Sequence, residues 1–436
     1  MKKRLLVGVL AAAVGTLAIV VATGAAGIGK NAAPTGKTVL PSSSCLKVVY
    51  GGSGRPQYLI ASDLPLQGAN RPQTTQMTKA IQFILQRKNY KAGNFTLGYQ
   101  ACDDSTAQKG SWDPAKCTAN ARAYSNDRSV IGIIGTFNSG CAKLVIPILN
   151  RAPRGPLAMI SPANTYPGLT KKTALNAAGE PNVYYPSGKR NYARVVATDD
   201  FQGPADAIVT KRVGGTSVYI LTDNETYGKG VAQTYQRAAK KLGIKVLGFE
   251  PWDPKATSYE AIANKIKGTG AKAVFLGGIV CNNGAKLLKD LRAGLGKNVR
   301  LVGPDGWTPF SAVAAAGASA EGMLISVAGI PNEALGPTGK KFIRDFVKFQ
   351  GRKPDPYAVY AAQAAQILVD AIARSNGTRA SVAQQLFKTK VKGGILGTFN
   401  IDKNGDTSLK GITIYRMTKG DGKTYATIYP PVSLTK

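Results

Sequence analysis

The chain has no histidine among its 436 residues, and this absence removes much of the chemistry that enzymes use. Ser-His-Asp and Cys-His mechanisms need an imidazole base, so the sequence excludes them. The glycine motifs that bind nucleotide phosphates are missing, and so is the G-x-S-x-G elbow of hydrolases. Zinc is not expected, because the sequence also lacks a C-x-x-C pair. We therefore predict no catalytic residue, no cofactor and no metal.

Acidic residues are scarce, since 24 Asp and Glu stand against 57 Lys and Arg and leave a net charge of +33. Such a balance raises the question of a nucleic acid partner. The basic residues are spread along the whole chain, however, and no motif with interleaved aromatic residues accompanies them. We expect no nucleic acid partner. An anionic envelope or membrane surface near the protein explains the charge more simply.

Long apolar runs are confined to the N-terminus, where Lys2, Lys3 and Arg4 precede an uncharged stretch that reaches Ile28. Residues 1–30 are predicted to be a signal peptide, with an uncleaved N-terminal anchor as the alternative. Residues 31–45 are rich in Pro, Ser and Thr and are predicted to be a linker. The protein is therefore expected to be exported, to a periplasm or the cell surface, free or tethered to the membrane.

Cysteines number only five, and three of them, Cys102, Cys117 and Cys141, are clustered around one predicted strand-helix-strand unit. Export permits disulfides. We predict that two of these three cysteines form a disulfide, and the sequence leaves their pairing open.

From Leu59 onward, short apolar runs alternate with amphipathic stretches of helix length. Runs such as VIGII (130–134) and AVFLGG (273–278) show no polar alternation, which is typical of parallel strands covered on both faces. This pattern predicts an α/β protein with parallel sheets. Because a long loop-like stretch at 170–195 interrupts the rhythm, two sheets are predicted rather than one.

The C-terminal residues predict β-hairpins, with turns at Asn404-Gly405 and Asp421-Gly422. The segment IDKNGD (401–406) has some likeness to a calcium loop. It lacks the later acidic ligand of that motif, so we interpret it as a turn.

Small and polar residues follow five of the predicted strands. These exits are GTFNSG (135–140), SPANTY (161–166), LTDNETYG (221–228), GGIVCNNG (277–284) and GPDGW (303–307). Ligands of open parallel sheets lie beyond the carboxyl ends of the strands. Because the exits are divided between two predicted sheets, they indicate one cleft between two lobes.

The chain resembles extracytoplasmic solute-binding proteins of branched-chain amino acid ABC importers, which have the type I periplasmic-binding-protein fold. The resemblance rests, in chain order, on SDLPLQG (62–68), GTFNSG, SPANTYPGLT (161–170), ETYGKG (225–230), GPDGW and YAVYAAQAAQILVDAI (357–372). It implies two Rossmann-like lobes joined by a three-strand hinge. The N-terminal lobe would comprise residues 46–197 and 328–396, and the C-terminal lobe residues 198–327 and 397–436.

The resemblance also implies how a ligand is held. Ser139 would bind the ligand's carboxylate, Ala163 and Thr165 would add backbone and hydroxyl contacts, Tyr227 would close over the ligand, and Asp305 would take its ammonium group. Neighbouring residues complete the candidate site: Phe137, Asn138, Asn164, Gly278 and Ile279. Ser139 precedes a predicted helix, whose first N–H groups favour an anion. Plain structural roles are the alternatives, namely a helix cap, lobe packing for the tyrosine, and a turn for the aspartate.

Positions that would contact the ligand's side chain depart from the family. Ala69, Asn70, Ile279 and Val280 stand where aromatic residues are common, and the insert at 103–116 is longer than expected. The ligand is therefore predicted to be an amino acid or a similar small polar solute.

The predicted function is to capture this solute and deliver it to the permease subunits of an ABC importer. A ligand-sensing receptor ectodomain of the same fold is the alternative. The importer is favoured because a receptor needs a signalling domain, which this chain does not carry before Lys436.

Overall fold

Two sheets hold most of the strands in the computed structural model, which describes residues 39–435. The strands are Tyr58–Leu64 (β1), Lys91–Ala92 (β2), Phe95–Asp103 (β3), Ser105–Thr106 (β4), Ser111–Trp112 (β5), Val130–Gly135 (β6), Ala158–Ser161 (β7), Tyr192–Arg194 (β8), Ser217–Thr222 (β9), Lys245–Pro251 (β10), Ala273–Gly277 (β11), Arg300–Gly303 (β12), Leu324–Val327 (β13), Lys390–Gly394 (β14), Gly397–Asn400 (β15), Ile412–Thr418 (β16) and Asp421–Ile428 (β17).

The α-helices lie between these strands and after them. They are Arg71–Arg87 (α1), Pro114–Asn126 (α2), Ser139–Asn150 (α3), Asp199–Arg212 (α4), Thr226–Lys241 (α5), Glu260–Thr269 (α6), Gly284–Leu295 (α7), Phe310–Ala314 (α8), Pro337–Gln350 (α9), Pro356–Ala373 (α10), Arg379–Phe387 (α11) and Val432–Thr435 (α12). None of the helices within residues 39–435 combines the length and hydrophobicity that a membrane span requires.

The first sheet has the strand order β2-β3-β1-β6-β7-β8, and every pair except β2–β3 is parallel. The second sheet has the order β10-β9-β11-β12-β13-β16-β17 and is parallel up to β13. Strands β6 and β11 are buried along their whole length, as their unbroken apolar sequences predict. The prediction of an α/β fold with parallel sheets is confirmed.

The chain crosses three times between the first and the second sheet. It leaves the first sheet after β8 and the second sheet after β13, and it returns to the second sheet at β16. Helix α10, which comes before that return, packs against α1 and β6 of the first sheet. Strands β14 and β15 pair across the lobe boundary predicted at residues 396 and 397, so this boundary divides a hairpin. The other lobe boundaries stay predictions.

Two disulfides connect elements of the first lobe. Cys117 in α2 pairs with Cys141 in α3, which confirms the predicted disulfide and settles its pairing. Cys102 pairs instead with Cys45, a partner that the sequence interpretation did not supply. The fifth cysteine, Cys281, is a free thiol.

The segment before Cys45 is not a free linker where the structure describes it. Leu40 is buried, and its backbone N–H donates to the Gln100 side chain at 2.7 Å. The Leu46 N–H donates to the carbonyl of Ala101 at 2.8 Å. The linker prediction therefore fails for residues 39–45, which lie along β3. Residues 1–30, predicted to be a signal peptide or anchor, and residues 31–38 of the linker lie outside the described residues.

One of the predicted C-terminal turns is displaced by two residues. The β16–β17 hairpin turns at Lys419 and Gly420, which have φ values of 52° and 78°, whereas Asp421 already begins β17. Mirror-image turns need positive φ at both central residues, and Gly420 adopts it without strain. The Asn404-Gly405 turn lies where the sequence predicts it. The Asp406 side chain that follows is committed to Arg194, with 2.9 Å between Oδ1 and Nε.

Candidate ligand-binding site

A small cavity lies between the carboxyl ends of the two sheets. It is lined by Phe137, Asn138, Ser139, Ala163, Tyr227, Ile279, Asp305 and Gly306. All of these except Gly306 are among the ten predicted site residues. The cavity measures about 20 Å³, enough for roughly one water molecule, so the lobes are closed upon each other. The structure thus brings residues from both lobes to one point.

Ser139 is the first residue of helix α3, and the preceding Asn138 is its N-cap residue. The Asn138 side chain makes no capping hydrogen bond, and its Oδ1 is buried without a partner. The Ser139 hydroxyl accepts only a long bond, 3.4 Å, from the Tyr166 N–H. The first N–H groups of a helix have no partner within the helix. This end of α3 therefore presents donors to the cavity, as a carboxylate would require.

Three predicted site residues do not line the cavity. Asn164 connects two strand exits, since its Nδ2 donates to the Phe137 carbonyl at 2.9 Å and its Oδ1 accepts from the Tyr192 hydroxyl at 3.1 Å. Thr165 is buried beside it, and its hydroxyl lies against the buried carboxylate of Asp199. Gly278 packs against Trp252 and the carboxylate of Asp223. Asn164 thus supports the cavity wall at Phe137, and Gly278 immediately precedes the cavity-lining Ile279.

Asp305 supplies the only charged side chain among the cavity-lining residues. Its carboxylate is buried and accepts hydrogen bonds from the hydroxyls of Tyr227 and Tyr357. The Gly306 N–H in turn donates to the Tyr227 oxygen at 2.9 Å. Burial raises the pKa of Asp305, and the two tyrosine hydroxyls oppose that shift. The two tyrosines thus hold the Asp305 carboxylate in place, and no Lys or Arg side chain within residues 39–435 forms a salt bridge with it.

Asp223 holds the exit loop that carries Ile279. Its Oδ2 accepts from the Ile279 N–H and from Asn282 Nδ2, both at 2.9 Å. Burial, together with the charge of the neighbouring Glu225, raises the pKa of Asp223 to about 7. A Cβ atom at Gly228 would collide with this carboxylate, which explains the glycine after Tyr227.

Hydrogen bonds join the lobes around the mouth of the cleft. Trp112, from the long insert at 103–116, donates its Nε1–H to Glu225 at 2.9 Å. Asn70 Nδ2 donates to the Thr308 carbonyl at 3.0 Å, and Asn70 Oδ1 accepts from the Cys281 thiol at 2.8 Å. The insert and Asn70, which depart from the family pattern in sequence, thus hold the cleft closed.

Sequence reasoning missed Tyr357 and Gly306. Tyr357 lies near the start of α10, about fifty residues after Asp305 in the chain, and only the fold brings its hydroxyl to the carboxylate. The motif YAVYAAQAAQ contributed to the family resemblance, but a tyrosine within an apolar helix carries no sign of a site. Gly306 could have been included as the residue after Asp305.

A much larger cavity, about 680 Å³, lies on the surface at residues 170–182 and includes Lys171, Lys172 and Arg190 among its lining residues. None of the predicted site residues lines it.

Comparisons with known proteins agree with the fold. A curated relative, "Leu/Ile/Val-binding protein homolog 1" of Brucella suis, is 25% identical over 390 residues, which cover 86% of this chain and 95% of the relative. The crystal structure of a leucine binding protein, LivK, from Thermotoga maritima superimposes with a TM-score of 0.73 at 22% identity, covering 86% of this chain and 99% of that one. A solute binding protein of an ABC transporter from R. palustris, solved in complex with benzoate, has a TM-score of 0.69 at 16% identity, with 85% and 96% covered.

The match to a family of known proteins extends over most of the described chain. Residues 60–423 match the family described as periplasmic binding protein. This range contains most of both sheets and every cavity-lining residue. Members of this family bind solutes outside the cytoplasmic membrane and are not a class of enzymes. The chain belongs to the periplasmic binding protein family.

Proposed function

We propose that the protein captures an amino acid, or a closely similar solute, between its lobes and delivers it to the permease subunits of an ABC importer. The name of the Brucella suis relative, a homologue of Leu/Ile/Val-binding proteins, supports this class of ligand. The family supports an extracytoplasmic location. Release into a periplasm or retention at the cell surface through the N-terminal residues are both consistent with the proposal.

The observation that carries the proposal is the pairing of opposite polarities across one small cavity. Ser139 and the start of α3 offer hydrogen-bond donors on one side, and the buried Asp305 carboxylate offers a negative charge on the other. A buried charge without a partner costs several kcal/mol. A ligand that carries both a carboxylate and an ammonium group satisfies both sides, because each of its charges meets its complement.

A carboxylate ligand without an ammonium group is the alternative within this fold, as the R. palustris protein in complex with benzoate illustrates. Such a ligand would use the α3 end and leave Asp305 without a cation. The two tyrosine hydroxyls reduce that cost but supply no positive charge.

Mass spectrometry of small molecules released from the purified, denatured protein tests the ligand class directly. Calorimetry then compares L-leucine with 4-methylpentanoic acid, which has the same skeleton and carboxylate but no ammonium group, and extends to the other amino acids. We expect an amino acid to bind at least ~thirtyfold more tightly than its des-amino analogue, about 2 kcal/mol. Equal or tighter binding of the des-amino acid would overturn the assignment.

A further inference from the structure

The large surface cavity at residues 170–182 has more positive than negative side chains in its wall. Three cations, Lys171, Lys172 and Arg190, and one acid, Glu180, are among its lining residues. Its volume of about 680 Å³ lies within the range that is usual for small-molecule sites. It shares no lining residue with the ligand-binding cavity between the lobes. The ligand that this second cavity suits depends on which of the four charges are balanced within the protein.

The charge of Glu180 is balanced by other groups of the protein. The residue is buried, and its Oε2 accepts from the Tyr166 hydroxyl at 2.7 Å and from the Ala177 N–H at 3.1 Å. Its Oε1 accepts from the Tyr184 hydroxyl and lies 3.1 Å from the Lys143 ammonium. Burial alone would raise the pKa of Glu180, but the two hydroxyls and the ammonium lower it below its ordinary value. Glu180 is therefore ionised and already fully partnered.

Lys171 is engaged in the same way. Its Nζ lies 2.8 Å from a carboxylate oxygen of Asp200 and 3.7 Å from one of Asp406, and it donates to the Thr198 hydroxyl at 3.0 Å. A lysine ammonium has three donors, and these three partners can use all of them. The positive charge of Lys171 is therefore neutralised within the protein.

Lys172 and Arg190 are the cavity-lining cations that have no acidic partner within residues 39–435. The Lys172 side chain is exposed and forms no salt bridge or hydrogen bond with those residues. The Arg190 Nη1–H donates to the Thr170 carbonyl at 2.9 Å, and the guanidinium lies 4.1 Å from the centre of the Tyr185 ring. A guanidinium has five N–H donors. Arg190 is thus held in one orientation and still has donors to offer.

We propose that this cavity is a second binding site, which takes a phosphate ester and holds its phosphate group between Lys172 and Arg190. The planar guanidinium can donate to two phosphate oxygens at once, and the lysine ammonium supplies the second positive charge. A phosphate monoester carries nearly two negative charges at neutral pH, which match this pair of cations. The volume of the cavity leaves room for the alcohol part of the ester.

The chemistry of this site differs from a general attraction of anions to a basic protein. The net charge of +33 draws anions toward the whole surface, whereas the cavity places two unbalanced cations, one of them fixed, in one wall. The phosphate group can belong to a free ester or to the headgroup of an anionic lipid. The inference is independent of the proposed amino-acid ligand, because the two cavities share no lining residue.

The test titrates glycerol 3-phosphate calorimetrically into the full chain at low ionic strength. We expect saturable binding at one site per chain. The double variant Lys172→Gln/Arg190→Gln should bind at least ~tenfold more weakly, because both charge-assisted contacts are lost. Lys172→Gln alone changes only an exposed side chain and should weaken binding at least ~threefold, which gives a second reading if the double variant does not fold.

Sedimentation with lipid vesicles distinguishes the two sources of the phosphate group. Vesicles of phosphatidylglycerol are compared with vesicles of phosphatidylcholine, whose headgroup has no net charge. Binding to phosphatidylglycerol that the double variant loses would assign the site to a lipid headgroup. Saturable binding of glycerol 3-phosphate without binding to these vesicles would assign it to a free ester.

Lys297→Gln/Arg300→Gln is the matched control. Both side chains are exposed, neither forms a salt bridge within residues 39–435, and neither lines the cavity. The control removes the same two charges and should keep the affinity for glycerol 3-phosphate within ~twofold of wild type. An equal loss in the control and in the cavity variant would overturn the inference, because net charge would then explain the binding.

Two other results would also overturn the inference. One is the absence of saturable binding by both glycerol 3-phosphate and phosphatidylglycerol vesicles. The other is tighter binding of succinate than of glycerol 3-phosphate, which would mean that the cavity prefers carboxylates. All of these results leave the proposed function intact, because leucine binding in the cleft is measured separately.

Discussion

The first-lobe wall of the cavity contains no charged side chain, whereas the second-lobe wall contains Asp305. Phe137, Asn138, Ser139 and Ala163 form the first wall, and Tyr227, Ile279, Asp305 and Gly306 form the second. The first wall offers the start of a helix, so its donors are largely backbone groups that no side-chain substitution removes. The second wall depends on one carboxylate and the hydroxyls that hold it. The two walls should therefore respond very differently to mutation.

The largest expected effect on ligand binding is that of Asp305→Asn. The side chain keeps its shape and loses its charge, so leucine binding should weaken by at least ~thirtyfold, or ~2 kcal/mol. Binding of 4-methylpentanoic acid should stay near the wild-type value, since it never uses this charge. Calorimetry with both ligands measures the difference, and a thermal melt checks that folding is intact. Wild-type leucine affinity in this variant would make Asp305 a turn residue only.

The free energy of unfolding should depend on pH through one buried acid in each lobe, Asp63 in the first and Asp223 in the second. Burial raises the pKa of Asp63 and of Asp223 to about 7, from an ordinary value of 3.8. Each group binds its proton more tightly when folded, so the stabilisation is complete below pH 4 and is lost as pH rises through 7. The free energy of unfolding should therefore be lower at pH 8 than at pH 5, by roughly 2–3 kcal/mol for each of the two acids.

Asp63→Asn should reduce this pH dependence. Asp63 Oδ1 accepts from Asn120 at 2.9 Å and from the Tyr124 hydroxyl at 2.8 Å, and an amide oxygen can keep both bonds. Asp223→Asn is a less suitable variant for this test. Both carboxylate oxygens of Asp223 accept hydrogen bonds, and the amide nitrogen of an asparagine could not accept one of them. Denaturant titrations at the two pH values make the measurement. A stability that rises with pH in the wild type would contradict the prediction.

Ser139→Ala should cost less than Asp305→Asn and should not distinguish the ligands. The hydroxyl is one donor beside the N–H groups of α3, so its loss should cost about 1 kcal/mol, roughly fivefold in affinity. Leucine and 4-methylpentanoic acid both have the carboxylate and should lose equally. The same titrations check this, and a loss confined to leucine would mean that the polarity of the two walls has been assigned wrongly.

Trp112→Phe should have the smallest effect. It removes the indole N–H that bonds Glu225 across the cleft and keeps most of the aromatic surface. The closed state should become less populated, and both affinities should fall about twofold, close to 0.5 kcal/mol. Small-angle scattering with and without leucine should show compaction upon binding in wild type and variant. An identical profile at saturation in the wild type would contradict closure by the two lobes.

Local sequence was sufficient wherever neighbouring residues decide the structure. The unbroken apolar runs of β6 and β11 predict buried parallel strands, and GTFNSG predicts the start of helix α3 after a strand exit. Local sequence was insufficient where a residue distant in the chain determines the structure of a segment. Strand β8 was taken as loop because only three residues, Tyr192–Arg194, pair with β7. Cys45 was assigned to a linker because nothing near it indicates that β3 binds its segment.

By itself the sequence determined the chemistry that is excluded, the α/β alternation, and the positions where strands end in polar residues. Each of these follows from residue type and spacing along a few neighbouring turns. Only the tertiary structure decided which side chains meet at the cleft. Ser139, Asp305 and Tyr357 are separated by about fifty to two hundred and twenty residues, and each by itself resembles an ordinary helix or turn residue. Their chemistry arises because two lobes close and exclude water, and a charge is costly only where water is absent.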